Sequence, residues 1–151
     1  MIAGDGEWSG YTVEARVKPL SFGDVAGVVF RYQTNRNFLV FGLRGGNEAV
    51  LRRRLPLEKE FRVAAWKELG AAKFEYDTRR YYHLKVESAG PKIRAWIDGK
   101  LVIEAVEEEN PRGKAGVTAN MPARFMDFHV HAPEAEARAI RERIASRGAE
   151  L

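Results

Sequence analysis

Residues Lys92 to Val106 read KIRAWIDGKLVIEAV, and this stretch decides the fold class. Ile93, Ala95 and Ile97 alternate with Arg94 and Trp96, Asp98-Gly99 interrupts, and Leu101 and Ile103 resume the apolar side. Period-two alternation marks a strand with one face in a core and one in water. An Asp-Gly pair between two such runs marks a tight hairpin, because both central residues of the favoured turn need positive φ. Upstream, RYYHLKVES places Tyr82, Leu84 and Val86 opposite Tyr81, His83 and Lys85. YTVEARVK, from Tyr11, sets Tyr11, Val13, Ala15 and Val17 against Thr12, Glu14, Arg16 and Lys18, and Pro19 ends the run because it cannot donate to a ladder. VAGVVFRYQ sets Val28, Phe30 and Tyr32 against Val29, Arg31 and Gln33. NFLVFGLR and EAVLRRRL flank the reversal Gly45-Gly46-Asn47, while GKAGVTAN and RFMDFHVHA flank the Met121-Pro122 turn. FRVAAWKEL fits either a strand with Phe61, Val63 and Ala65 inward or a short helix, and the strand is preferred because its neighbours are strands. About ten short strands separated by turn signals predict an antiparallel sandwich or barrel.

The chain of 151 residues is 45% hydrophobic and 30% charged, enough for one domain around one core and too apolar for disorder. After Pro133 the texture changes to EAEARAIRERIASRGAEL, with helical spacing, acids early and Arg147 late. We therefore expect a sandwich over 1–132 and a C-terminal α-helix over 133–151 leading toward a further domain. No apolar run is long enough to span a bilayer as a helix, so no membrane partner is expected. The opening MIAGDGEWSG has neither the basic start nor the apolar stretch of a signal peptide. With no cysteine, disulfides, thiol catalysis and Cys-ligated metals are excluded. A net charge of +4 is a weak nucleic-acid signal. On a strand Arg53 points opposite to Arg52 and Arg54, which breaks any basic stripe, and Arg53 is expected at an edge or paired with an acid. No nucleic-acid partner is expected.

Catalytic signatures are missing: there is no HExxH, P-loop, GxGxxG or GxSxG. Glu75 with Asp77, and the run Glu107-Glu108-Glu109, sit in turn-like contexts and read as solvated loop acids, not a glycosidase pair aimed into a groove. His129 and His131, two apart, share one face of a strand; with no third ligand in view, no metal site is expected. The outward strand positions include Arg16, Arg31, Arg52, Arg54, Trp66, His83, Arg94 and Trp96. Sugars are bound by stacking their C–H faces on aromatic rings while planar polar groups bridge hydroxyls. Trp and Arg projecting from one sheet would make such a surface.

The order of segments resembles the concanavalin A-like, laminin-G-like jelly roll. Trp8 to Val17 is similar to its opening strand, Gly27 to Gln33 and Asn37 to Phe41 to its next hairpin, and Tyr81 to Glu87 with Ile93 to Val102 to its "VxxxGxxixvyvDGxlv" hairpin. Gly113 to Asn120 and Ala123 to Val130 resemble its closing strands. Within that class the chain resembles the domain-of-unknown-function 1080 group (3-keto-disaccharide hydrolase) and the family 66 carbohydrate-binding modules. The resemblance implies an all-β jelly-roll sandwich of two antiparallel sheets and a non-catalytic carbohydrate-binding module of a polysaccharide-processing protein. It implies an extracellular or periplasmic location, with a separate catalytic domain in the full-length protein. The ligand-binding residues expected are Arg31, Trp66, His83, Arg94 and Trp96, Arg31 being placed on the ligand side by the resemblance. No cofactor is expected; the fold class accommodates calcium, but no dense acidic loop marks a site. The alternatives are a 3-keto-glycoside hydrolase-like enzyme with His83 or a loop carboxylate as base, and an assembly module working through its terminal helix.

Overall fold

The computed structural model describes residues 2–3, 10–35, 37–59, 63–108 and 112–131. The helix expected over 133–151, Trp8 and Phe61 lie outside the described residues, and so do the side chains of Val63 and Ala65. The described strands are β1 (Ile2–Ala3), β2 (Tyr11–Pro19), β3 (Ala26–Thr34), β4 (Asn37–Arg44), β5 (Glu48–Lys59) and β6 (Val63–Lys73), followed by β7 (Tyr82–Ala89), β8 (Lys92–Ile97), β9 (Lys100–Val106), β10 (Lys114–Ala119) and β11 (Ala123–His131). They form two antiparallel sheets, one in the order β1-β10-β3-β4-β5-β6 and one in the order β11-β2-β7-β8-β9. This is the expected jelly-roll sandwich, and FRVAAWKEL takes the strand form it was assigned from Val63 onward.

Alternation builds the core. Val13, Ala15 and Val17 of β2, Leu84 and Val86 of β7 and Ile93, Ala95 and Ile97 of β8 face Val28 and Phe30 of β3, Leu39, Phe41 and Leu43 of β4 and Leu51 of β5, all almost fully buried. Burying a side chain of this size stabilises by about 1.5–3 kcal/mol, which gives each strand's register a strong preference, since a one-residue slip turns every side chain over. The β8–β9 hairpin takes the backbone its sequence predicts, with φ of 50° at Asp98 and 83° at Gly99. Asp98 does more than turn the chain: its carboxylate accepts from the His83 amide at 2.9 Å and from Arg80 at 2.6 Å.

One contact between strands is unusually close. A Cβ placed on Gly27 would lie 2.1 Å from the Phe41 carbonyl oxygen and 2.4 Å from the Gly42 Cα, so β3 and β4 approach in a way only glycine allows.

Register shifts correct the sequence reading in two strands. In β9, Ala95 pairs with Ile103 but Trp96 pairs with Leu101, so Val102 is an extra residue and Leu101 turns to the outer face, 41% exposed. In β3, pairing jumps from Phe30–Leu39 to Thr34–Asn37 on one side and from Val29–Gly116 to Tyr32–Lys114 on the other. Arg31 sits in this bulge with φ of 50°.

Candidate functional site

The bulge decides the place of Arg31. It was expected to face outward as a ligand residue; instead its side chain enters the sandwich and is 0% exposed. An extra residue in a strand shifts the alternation by one, so Arg31 joins Phe30 on the inner side and Tyr32 turns outward. The guanidinium donates to Ser88 Oγ at 2.8 Å, to the Glu107 carbonyl at 2.9 Å and to the Gly90 carbonyl, and the Arg31 amide donates to the Tyr11 hydroxyl at 2.7 Å. Burial pushes this guanidinium below its ordinary range, while Tyr11 and Glu107 oppose the shift. Arg31 is therefore a tie between β3 in one sheet and the ends of β7 and β9 in the other.

Glu107 also departs from expectation. It is 3% exposed, not a solvated loop acid, with Lys67 Nζ at 3.2 Å and Arg53 at 4.0 Å from its carboxylate. A buried carboxylate needs such partners. Arg53 thus pairs with an acid as expected, inside the sandwich. Glu75 and Asp77 are exposed, as read.

The remaining predicted residues divide between the two outer faces. His83, Arg94 and Trp96 lie on the five-stranded sheet. There Lys85 sits over the Trp96 ring at 5.3 Å, Arg94 faces Glu104 at 4.0 Å with both side chains half exposed or more, and His83 lies 3.7 Å from Glu14. The Arg94–Glu104 pair, exposed in this way, contributes about 0–1 kcal/mol and leaves its side chains free to move.

Trp66 lies on the other face, that of the six-stranded sheet, in different company. Val25, Val29, Val40 and Val50 are 0–2% exposed although they belong to the outer side, with Tyr32, Phe38 and Trp66 packed against them. Tyr32 stacks on Phe38 at 5.7 Å, and Phe38 meets Trp66 edge-on at 5.7 Å. The Arg52 guanidinium lies over the Trp66 ring, 4.1 Å from its centroid, and bonds the Asp24 carboxylate at 3.1 Å; Arg52 is only 9% exposed. Its Nε is buried without a hydrogen-bond partner. Burial works to raise the Asp24 carboxyl, but the hydrogen bond and charge of Arg52, the Val25 amide and Asn120 outweigh it and hold the group below its ordinary value of 3.8. One strand row away, Arg44 bonds both Glu48 at 3.0 Å and Glu68 at 2.8 Å. Arg52 stood among the outward residues, but Asp24, Phe38 and Tyr32 did not: sequence spacing says which side of a strand a residue takes, not which strands lie together.

Chemically, this face offers aromatic surface, guanidinium donors and carboxylate acceptors on an apolar floor. Among the described residues, no group of three or more His, Asp or Glu is placed to hold a metal ion, and no helix is long and apolar enough to cross a membrane.

The architecture is that of the jelly-roll, concanavalin A-like sandwiches, and solved structures agree. The chain is similar to the carbohydrate-binding module of family 66 from Bacillus subtilis, with a TM-score of 0.72 and 19% identity over 83% of this chain and 76% of that one. It is similar to galectin LEC-6 of Caenorhabditis elegans, with a TM-score of 0.64 and 15% identity over 86% of this chain and 89% of the galectin. A glycoside hydrolase family 43 protein of Bacillus licheniformis matches with a TM-score of 0.60 and 19% identity over 83% of this chain but 28% of its own length. No protein-family model matches the sequence, and no curated protein matches it.

Proposed function

We propose that this protein binds carbohydrate without transforming it, and that the ligand lies on the outer face of the six-stranded sheet. One observation carries the choice of face: the Arg52 guanidinium, stacked on Trp66 and ion-paired to Asp24, is almost buried and therefore already ordered. Polar groups fixed before binding lose little entropy when a hydroxyl-rich ligand arrives, whereas the half-exposed Arg94–Glu104 pair on the other face would have to be ordered by it. In this reading the exposed part of Trp66 offers a stacking surface, Asp24 accepts from sugar hydroxyls, and the Arg52 terminus donates. Arg31 contributes to stability and not to the ligand, and His83, Arg94 and Trp96 lie on the opposite side of the sandwich.

The similar proteins support the reading, one being a carbohydrate-binding module and another a galectin. The wider context, a module beside a catalytic domain in an exported polysaccharide-processing protein, draws on the hydrolase whose longer chain contains a similar sandwich. The test is a glycan array with wild type and two double variants, Arg52→Ala/Trp66→Ala and Arg94→Ala/Trp96→Ala, with and without calcium. Binding that the first pair loses and the second keeps supports the assignment. Loss only with the second pair moves the site to the five-stranded sheet, and no binding by the wild type refutes the function.

A further inference from the structure

The geometry points to a second, separate binding function: His129 and His131 on β11 form a chelate for a borderline divalent transition metal, Zn²⁺, Ni²⁺ or Cu²⁺. Among the described residues β11 is an edge strand, paired only with β2. A register shift between Met126 and His129, with Asp127 at φ of 53°, resets the alternation so that His129 stands opposite Glu14 and His131 opposite Thr12 on the outer side. Both imidazoles are exposed, with ring centroids 6.0 Å apart and planes 32° from parallel.

The spacing can be tested against coordination geometry. A metal–nitrogen bond of about 2.0–2.1 Å places the metal about 3.2 Å from each ring centroid, so two rings at a tetrahedral angle stand about 5.2 Å apart. The observed 6.0 Å is within 1 Å of that, which a small swing of two surface side chains supplies. The local charge is favourable. Glu14 faces His129 directly, and Arg16, the next outward cation on β2, is held by Asp127 at 3.3 Å. Lys85 lies beyond Glu14 on β7. Imidazole selects zinc, nickel and copper over calcium or magnesium, which take oxygen ligands. With two protein ligands, water fills the other positions. His83, held near Glu14, is not part of the pair.

The test is calorimetric titration of the tag-free full chain with Zn²⁺, Ni²⁺ and Ca²⁺, alongside His129→Gln, His131→Gln and His83→Gln. Thermal melts verify that these surface variants fold. The expected result is one saturable Zn²⁺ or Ni²⁺ site per chain, weakened at least about tenfold by either β11 substitution and unchanged by His83→Gln, with no Ca²⁺ response. Wild-type binding no stronger than that of the His129→Gln/His131→Gln double variant overturns the inference, and so does a site that depends on His83. The glycan assay reads the opposite face, so either proposal can fail without the other.

Discussion

Replacing Arg31 by methionine removes the guanidinium while keeping most of the side chain's apolar bulk. Ser88 Oγ and the Glu107 carbonyl then lose this donor inside the sandwich, and the part-buried carbonyl of Gly90 loses it at the rim. Each buried acceptor left unpaired costs about 1–3 kcal/mol. The sum is not additive, and removing a desolvated charge returns part of it, so the lower part of the combined range, about 3–5 kcal/mol, is the expected loss. For a chain of this length each kcal/mol moves the midpoint by about 2–4 °C, which predicts a fall in Tm of about 6–20 °C. Differential scanning calorimetry reads the midpoint, and urea titration gives the free energy independently. A drop below about 2 °C would refute the argument that these bonds hold the sheets together. Unchanged stability combined with lost glycan binding would restore Arg31 to the ligand side, where the family resemblance placed it.

Arg52→Ala should abolish glycan binding and also lower stability, because it uncovers the Trp66 ring and removes the partner of Asp24; array binding and a thermal melt read the two losses together. Asp24, held below 3.8, stabilises the fold above the ordinary carboxylate range, and that contribution disappears as pH falls through its native value, so Tm followed from pH 6 to pH 3 should fall more steeply in wild type than in Asp24→Asn. Gly99→Ala adds no steric clash, since nothing lies within 4 Å of the new Cβ, and should cost about 1–2 kcal/mol from positive φ alone, measured by denaturant unfolding. Gly27→Ala should prevent soluble expression, because the Phe41 carbonyl already occupies the space of its Cβ.

Much of the sandwich was legible because alternation and burial are two views of one fact. The inward sets of β2, β7 and β8 follow directly from YTVEARV, YYHLKV and KIRAWI, and the Asp-Gly turn is encoded by two residues whose backbone preferences are local. Bulges were not legible. Nothing in VVFRYQ marks Arg31 as the residue that adopts positive φ, since the conformation is imposed by bonds to partners 57 to 76 residues away. The burial of Glu107 was hidden for the same reason: its partners Lys67 and Arg53 lie on other strands. The site was half legible. The outward placement of Trp66 follows from alternation, but its separation from Trp96 onto the opposite face depends on strand order, which alternation does not encode.

The buried tie at Arg31 has a geometric consequence. Apolar contact between two sheets is non-directional and tolerates small sliding or rotation. Hydrogen bonds are directional, and three of them from one planar group to a serine and two carbonyls fix where the end of β7 and the chain beyond β9 sit relative to β3. Arg31 therefore acts as a locating pin. The sheet that carries Trp66 and Arg52 is indexed against the sheet that carries His129 and His131 by this guanidinium, beside the Glu107 contacts with Lys67 and Arg53, and the angle at which the two outer surfaces present themselves to different ligands is set from inside the molecule.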